Sequence, residues 1–280
     1  VRNGLRGVGV WDVHPEKART LASARGGAAV GSIDELLDLP EVEAVAIAVP
    51  NAVHASCAVR ALARGKHVLL EKPMAMSTKE CDEILAAADR AGVVLQMGFV
   101  CRGTPTALAA KRFIDAGRLG RIYHAKCSLH RRRGIPGLGG WFTTKAQLDG
   151  RSACWRVLRA SGACWATFGA PIERYRYVEM WAGPPRLNGT FDVEDHATAF
   201  VRCEGGLTIE MNVAWAMNQP EGALKDGVHL FGDKGGCAFE IFGNECTLAT
   251  EEDGAIVDER PGLAPGAPSI RARDAQNAQF

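Results

Sequence analysis

Apolar runs and amphipathic stretches alternate from Val8 to about Leu129. Val8-Gly9-Val10-Trp11 reads as a strand ending at Asp12; the helix after it has Pro15 at its first position, Glu16 and Lys17 behind it, and Gly26 as its stop. Ser32 and Glu35 have capping-box spacing at the head of a short helix. Val42 to Val49 is a nearly continuous apolar strand running into Pro50-Asn51, and the helix that starts near Val53 stops at Gly65. Val68-Leu69-Leu70 has the character of a short strand buried on both faces, and it ends abruptly in Glu71, Lys72 and Pro73. Ser77 with Glu80 caps a helix ending near Gly92. Val93 to Met97 is another buried strand, and Pro105 to about Ala116 is a helix stopped by Gly117. Strands separated by helices imply βαβ units, hence a parallel sheet with right-handed crossovers and half of a doubly wound fold.

Beyond Arg121 the period changes to two. Tyr123, Ala125, Cys127 and Leu129 share one face of a strand, with His124, Lys126 and Ser128 on the other. Thr198 to Arg202, the turn Glu204-Gly205-Gly206 and Leu207 to Trp215 read as a hairpin; Val228 to Phe231, Asp233-Lys234-Gly235-Gly236 and Cys237 to Ile241 read as a second. His196 and His229 fall inside strands and are read as sheet residues. The basic run His130 to Arg133 leads into a Gly-rich loop and is read as a solvated loop, with phosphate binding as the sharper alternative. After Gly243 the pattern weakens, Gly262 to Pro268 is a Pro/Gly-rich loop, and Ala272 to Phe280 is helix-capable.

Composition narrows the class more than the fold. The chain of 280 residues is 47% apolar and 23% charged, as in an ordinary globular protein, and is long enough for two domains. A formal net charge of +1 gives no reason to expect nucleic acid or an acidic membrane surface as partner. The nine cysteines include no C-x-x-C pair, which argues for reduced thiols in a cytoplasmic protein and against a disulfide framework or zinc site. No apolar run approaches the roughly 18 residues of a membrane span, and no signal-peptide pattern is present.

The chemistry concentrates after the Val68–Leu70 strand. A lysine just past the carboxyl end of a parallel strand stands at the mouth of the crevice where open α/β sheets bind ligands. The Lys72-Pro73 bond is of the kind that becomes cis at modest cost. The plain alternative is a surface Glu-Lys pair closing a strand. Asp12 closes a strand where an acidic residue hydrogen-bonds the ribose of NAD, although such an Asp is more often a turn residue. The Gly-rich phosphate loop belongs about 20 residues before such an acid. Gly4, Gly7 and Gly9 have the wrong order for it, so either this protein binds no dinucleotide or its first strand and phosphate loop are missing from this chain.

Pro50-Asn51-x-x-His54 followed by Glu71-Lys72-Pro73 resembles the Gfo/Idh/MocA oxidoreductases, which include glucose–fructose oxidoreductase and inositol dehydrogenase. The likeness continues through Gly98-Phe99-x-x-Arg102, Gly117 to Ile122, Arg133-Gly134-Ile135-Pro136-Gly137, Trp141-Phe142 and Thr190 to Asp195. The resemblance implies an α/β architecture: an incomplete Rossmann-type parallel-sheet domain over residues 1–120, then an α+β domain with a large, mainly antiparallel sheet over residues 121–280. It implies hydride transfer between nicotinamide and a carbinol carbon of a sugar, cyclitol or related polyol. Asp12 then looks like the adenosine-ribose ligand, favouring NAD over NADP. Pro50, Asn51 and His54 would lie along the cofactor, Glu71 and Lys72 would flank the nicotinamide, and Arg102 and Trp141 would contribute from neighbouring loops. Lys72 is the catalytic candidate, since a desolvated amine can relay the hydroxyl proton or polarise the oxygen. Without the family, His54 reads as a first-turn helix residue with a satisfied ring.

Departures from the family pattern qualify this. Family members carry an Asp followed four residues later by a His after the Trp-containing loop. Here Leu148 to Trp165 has no histidine, and Asp149 precedes Gly150 and so is out of position. Poor hydrophobic periodicity from about Leu148 to Arg186 suggests translation out of frame, or else a divergent insertion. Truncation at both ends is also expected. The alternatives to a working dehydrogenase are therefore a catalytically inactive fragment, or a relative that uses NAD to cleave a glycoside. Exposed sheet faces in the second domain point to a homo-oligomer.

Overall fold

In the computed structural model of the chain, residues 6–132, 143–144, 196–221, 223 and 226–263 are described, together with the backbone of 172–180. The chain divides after Gly98 into two compact units.

The first unit alternates strand and helix in the expected order: β1 (Gly9–Val10), α1 (Pro15–Arg25), β2 (Ala28–Ala29), α2 (Ile33–Asp38), β3 (Ala44–Ile47), α3 (His54–Ala63), β4 (His67–Leu70), α4 (Thr78–Ala91) and β5 (Leu95–Met97). Local signals set the helix ends. Pro15 opens α1 at a position where the N–H that proline lacks would have no helical partner in any case. The Ser77 hydroxyl accepts from the Glu80 N–H while the Glu80 carboxylate accepts from the Ser77 N–H, so α4 starts on a complete capping box. At the other end of α4, Gly92 takes the left-handed conformation that a C-terminal cap requires.

Two parallel sheets result, β1-β2 and β3-β4-β5. On the larger one, Ile47, Val68 and Leu70 bury against Ala58, Ala61 and Leu62 of α3, Ile84, Ala87 and Ala88 of α4, and Leu37 of α2. Arg60 and Arg64 on α3 pair with Asp34 on α2, holding those helices side by side. The expectation of strands buried on both faces is corrected here. Val68 and Leu70 are fully buried, but His67 and Leu69 are only half-buried, and Ala44 and Ala46 on the same side of β3 are exposed. The reason is that α3 and α4 both pack on one face.

The second unit contains α5 (Pro105–Asp115), β6 (Ile122–His130), β7 (Ile172–Met180), β8 (His196–Cys203), β9 (Thr208–Ala214), β10 (Gly227–Gly232), β11 (Gly235–Phe239), β12 (Cys246–Glu252) and β13 (Ala255–Glu259). They form one eight-stranded sheet in the order β13-β12-β11-β10-β6-β9-β8-β7. Every described pairing in it is antiparallel except β6 with β9. The alternation expected of Tyr123 to Leu129 holds: Ala125, Cys127 and Leu129 enter the core with Ile209, Met211, Val213, Val228 and Leu230, against Ala110 and Phe113 of α5. Both expected hairpins form, as β8-β9 and β10-β11. Residues 99–120 fall with this second unit.

After Gly243, where the sequence pattern weakens, the chain makes a third hairpin, β12-β13. Its turn carries positive φ at both Asp253 (51°) and Gly254 (80°), as a two-residue type I′ turn demands. The backbone of Ile172–Met180 pairs with β8 as an edge strand inside the region of poor periodicity. The remainder of that region, with Asp149 and the Thr190–Asp195 motif, lies outside the described residues, as does the helix expected over 272–280. No helix among the described residues is long and apolar enough to cross a membrane.

Candidate active site

Three adjacent parallel strands end side by side, and the candidate residues follow directly from their carboxyl ends. Pro50 and Asn51 come after β3, Glu71 and Lys72 after β4, and Gly98 after β5. In a parallel α/β sheet this edge is where ligands bind, because the crossovers leave a crevice there and helices begin there.

Two of the predicted groups are physically joined. His54, the first residue of α3, is 1% exposed. Its Nδ1 lies 2.6 Å from the carbonyl oxygen of Pro73, and its Nε2 lies 2.9 Å from that of Val49. Carbonyls only accept, so a neutral ring donates to one of them and an imidazolium to both. The ring thereby ties the Glu71-Lys72-Pro73 turn to the end of β3. The reading of His54 as a satisfied helix-start residue and its placement beside the lysine turn are compatible. The Lys72-Pro73 bond is cis. Asn51 is likewise buried, in the short 3-10 turn Asn51–Val53 that leads into α3.

Glu71 and Lys72 are both half-buried. The Glu71 N–H donates to Ile47 O at 2.9 Å and the Gly98 N–H to Leu70 O at 2.7 Å, so the ladder extends past the ends of β3, β4 and β5. The Glu71 carboxylate folds back over Gly98, where a Cβ would lie 3.0 Å from its Cδ and 3.1 Å from Oε2. Its Oε2 also accepts from the Lys72 N–H at 3.3 Å. In the sequence Gly98 stands only as part of a motif; its role as the floor for the carboxylate depends on the β4–β5 register, which no local pattern reveals.

Asp12 stands after the carboxyl end of β1, in the other sheet, and its Oδ1 accepts from the His14 N–H at 2.8 Å. It therefore helps to make the turn that enters α1. Arg102 belongs to the second unit, in a 3-10 turn spanning Val100–Gly103, with its guanidinium 4.8 Å from the centroid of the Phe99 ring. Partial desolvation lowers its pKa, but a guanidinium starts so far above neutrality that it stays cationic. Trp141 lies outside the described residues.

Comparison with known proteins bears on this geometry. Residues 2–99 match the family model described as an oxidoreductase family with an NAD-binding Rossmann fold, and residues 107–248 match the Gfo/Idh/MocA C-terminal domain. An uncharacterized oxidoreductase of Rhizobium meliloti is 29% identical over 238 residues, covering 82% of this chain and 65% of the relative. Inositol 2-dehydrogenase 2 of Saccharopolyspora erythraea is 36% identical over 136 residues, 48% of this chain and 40% of the relative. The chain thus spans less than two thirds of the length of these curated relatives. Levoglucosan dehydrogenase, in a structure with NADH and levoglucosan, shares the fold with a TM-score of 0.85 at 20% identity, over 97% of this chain and 79% of that one. With both domain models matched in order, the chain belongs to the Gfo/Idh/MocA oxidoreductase family.

Proposed function

We propose that this chain carries an NAD-dependent hydride transfer to or from a carbinol carbon of a sugar, cyclitol or related polyol. The observation that carries it is the Glu71-Lys72-Pro73 turn at the end of the central strand of β3-β4-β5, braced from behind by buried His54. The donor set fits a dinucleotide. A carboxylate, Asp12, follows one strand and can accept from ribose hydroxyls, whereas the extra phosphate of NADP would meet its negative charge. An amine, Lys72, follows another strand, and the bare Cα of Gly98 lets Glu71 lie flat beside it. Pro50, Asn51 and His54 are assigned to the wall along the cofactor, and Glu71 and Lys72 to its nicotinamide end. NAD, when bound, supplies the hydride acceptor.

The chain's own contribution is to the oxygen. As an alcohol becomes a carbonyl its proton must leave, and the oxygen gains from a hydrogen-bond donor as charge develops on it. Lys72 is assigned both tasks, at Nζ. The names of relatives, which include a 1,5-anhydro-D-fructose reductase and a glucose-6-phosphate 3-dehydrogenase, favour a sugar-like substrate. Net NADH formation from NAD and a polyol, followed by absorbance, tests the proposal. A polyol screen with no NADH formed, despite NAD binding, would reject net dehydrogenation; cleavage of a glycoside in the same mixture would then identify transient redox use.

Two further parts of this reading concern setting. The outer face of the large sheet carries Phe200 and Phe231, 49% and 37% exposed, beside the Lys126–Glu210 ion pair, and we assign self-association to that face. The seven described cysteines are free thiols, which suits a cytoplasmic location.

Gly98→Ala probes the site without touching a charged group. The new Cβ would sit 3.0 Å from the Glu71 Cδ and 3.2 Å from its Cα, so Glu71 must give by a few tenths of an ångström. A displacement of about 1 Å at a reacting group can cost about 100-fold. A shift of a few tenths of an ångström costs less, and turnover is expected to fall by up to about 10-fold with the NAD dissociation constant little changed, as read from steady-state kinetics and nicotinamide fluorescence.

A further inference from the structure

One nearly buried ring takes no part in the proposed chemistry: His130, the last residue of β6, whose side chain is 4% exposed. Both of its nitrogens face oxygens. Nδ1 lies 2.9 Å from Asp226 Oδ1, and that oxygen also accepts from the His130 N–H at 2.7 Å. Nε2 lies 2.7 Å from Asn212 Oδ1 on β9, which is in turn 3.2 Å from Nε2 of His196 on β8. The nitrogen of the same amide donates to Thr198 Oγ1 at 3.1 Å. The backbone beside the ring is fixed. The Arg131 N–H donates to Ala214 O at 3.0 Å and the Met217 N–H to Arg131 O at 2.8 Å, so the chain from β6 and the chain from β9 stay joined past the ring.

Counting donors gives the charge that this arrangement requires. A carboxylate and an amide oxygen only accept, so with the amide turned this way His130 donates from both nitrogens and is an imidazolium. His196 then donates from Nε2 to the same amide oxygen. A half-turn of the Asn212 amide keeps its shape but puts the NH2 where the oxygen was. That NH2 has two hydrogens, one for each ring, so both Nε2 atoms become acceptors and the Thr198 hydroxyl donates to the amide oxygen. His130 keeps its Nδ1–H on Asp226 and is neutral. Each arrangement satisfies the whole network, and the two differ by one proton. A mixed arrangement sets donor against donor or acceptor against acceptor and leaves a buried hydrogen bond unmade. We propose that His130, Asn212 and His196 form a proton switch: when His130 gives up one proton to water, the Asn212 amide turns over and His196 Nε2 changes from donor to acceptor, its hydrogen replaced at Nδ1 by exchange with water.

The ionisable groups that face the ring among the described residues are Asp226, from the stretch before β10, and His196 of β8, while β9 presents Asn212. Farther along that face lie the Lys126–Glu210 pair and, opposite Lys126, His229 of β10; the exposed Arg132–Glu221 pair lies past the strand end. The hydrogen bond to Asp226 raises the His130 pKa, against desolvation by burial. The stability contributed by the charged form is therefore complete below the ordinary histidine value and is lost as pH rises through the raised one. The switch uses none of the residues assigned to hydride transfer.

Nitrogen NMR of the full chain, labelled at histidine and asparagine, tests this over a pH series from about pH 5 upward until His130 has lost its proton. One titration is expected at three places. His130 Nε2 loses its hydrogen while Nδ1 keeps its own. His196 Nε2 carries a hydrogen as long as His130 is charged and is bare once His130 is neutral. The signals of the Asn212 NH2 shift over the same interval. Asn212→Asp replaces the reversible amide with a group that only accepts. In that variant His130 is expected to hold its proton to higher pH, and His196 to keep its Nε2 hydrogen throughout. A His196 Nε2 that keeps its hydrogen, or loses it, independently of the His130 titration would overturn the switch. A His130 that is neutral at every pH, or that loses the Nδ1 hydrogen first, would do the same, as would an Asn212→Asp protein in which His196 behaves as in the wild type. The wild-type titration decides the matter even where the variant, checked by its melting temperature, does not fold.

Discussion

Lys72→Met is expected to reduce NADH formation by about 1,000-fold or more with any accepted polyol, while NAD still binds. Methionine keeps the length and apolar stem of the lysine and so preserves packing at a half-buried position. What it removes is the amine. Positioned acid–base groups contribute about 100- to 10,000-fold, and a donor aimed at a developing oxyanion contributes on the same scale, so one amine in both roles accounts for a loss at the upper end. The same change should leave the NAD dissociation constant close to that of the wild type, because the amine acts at the alcohol oxygen. Steady-state kinetics with matched NAD titrations measure both effects. Wild-type turnover in this variant would remove Lys72 from the reaction and with it the central argument of the functional assignment.

His54→Leu is expected to destabilise the first unit and to loosen the lysine turn. The ring contacts two carbonyl oxygens, those of Pro73 and Val49, in a position 1% exposed. Leucine fills similar space but donates nothing, and each buried acceptor left without its donor costs about 1–3 kcal/mol. A neutral ring donates to one of the two, so a loss of about 1–3 kcal/mol is expected, read from chemical denaturation. Loosening should be local before it is global: amides of residues 74–76, just beyond the clamped turn, should exchange faster under conditions where α4 stays protected. His54→Asn, which restores one donor, should recover part of the stability. A leucine variant as stable as the wild type, with unchanged exchange in that turn, would show that the ring holds nothing together.

The contrast between the lysine turn and its brace shows how far the sequence could be read. Glu71, Lys72 and Pro73 announced themselves by following an apolar run, and Ser77 with Glu80 marked the next helix, because both signals lie within a few residues of one another. His54 carried no such mark. Its partners lie five and 19 residues away, and the second of them is reached only once β4 has paired with β3. The β12-β13 hairpin is hidden in the sequence for a different reason. Its Asp253-Gly254 turn is a strong local signal, but every residue of β13 is exposed, so the strand has no apolar face to reveal its period.

Local pattern alone therefore determined the succession of strands and helices, their caps, the change from a 3.6-residue to a two-residue period near Arg121, and the strand end that carries the lysine. Each of these is encoded by residues one turn or one pleat apart. The tertiary structure decided that one face of β3-β4-β5 is buried and the other open, that Gly98 supports Glu71, and that β6 runs parallel to β9 so that Arg131 meets Met217. Those outcomes depend on which strand pairs with which, and in what register. An alternating strand fits many partners equally well by its own pattern, and only the simultaneous packing of the whole core selects one.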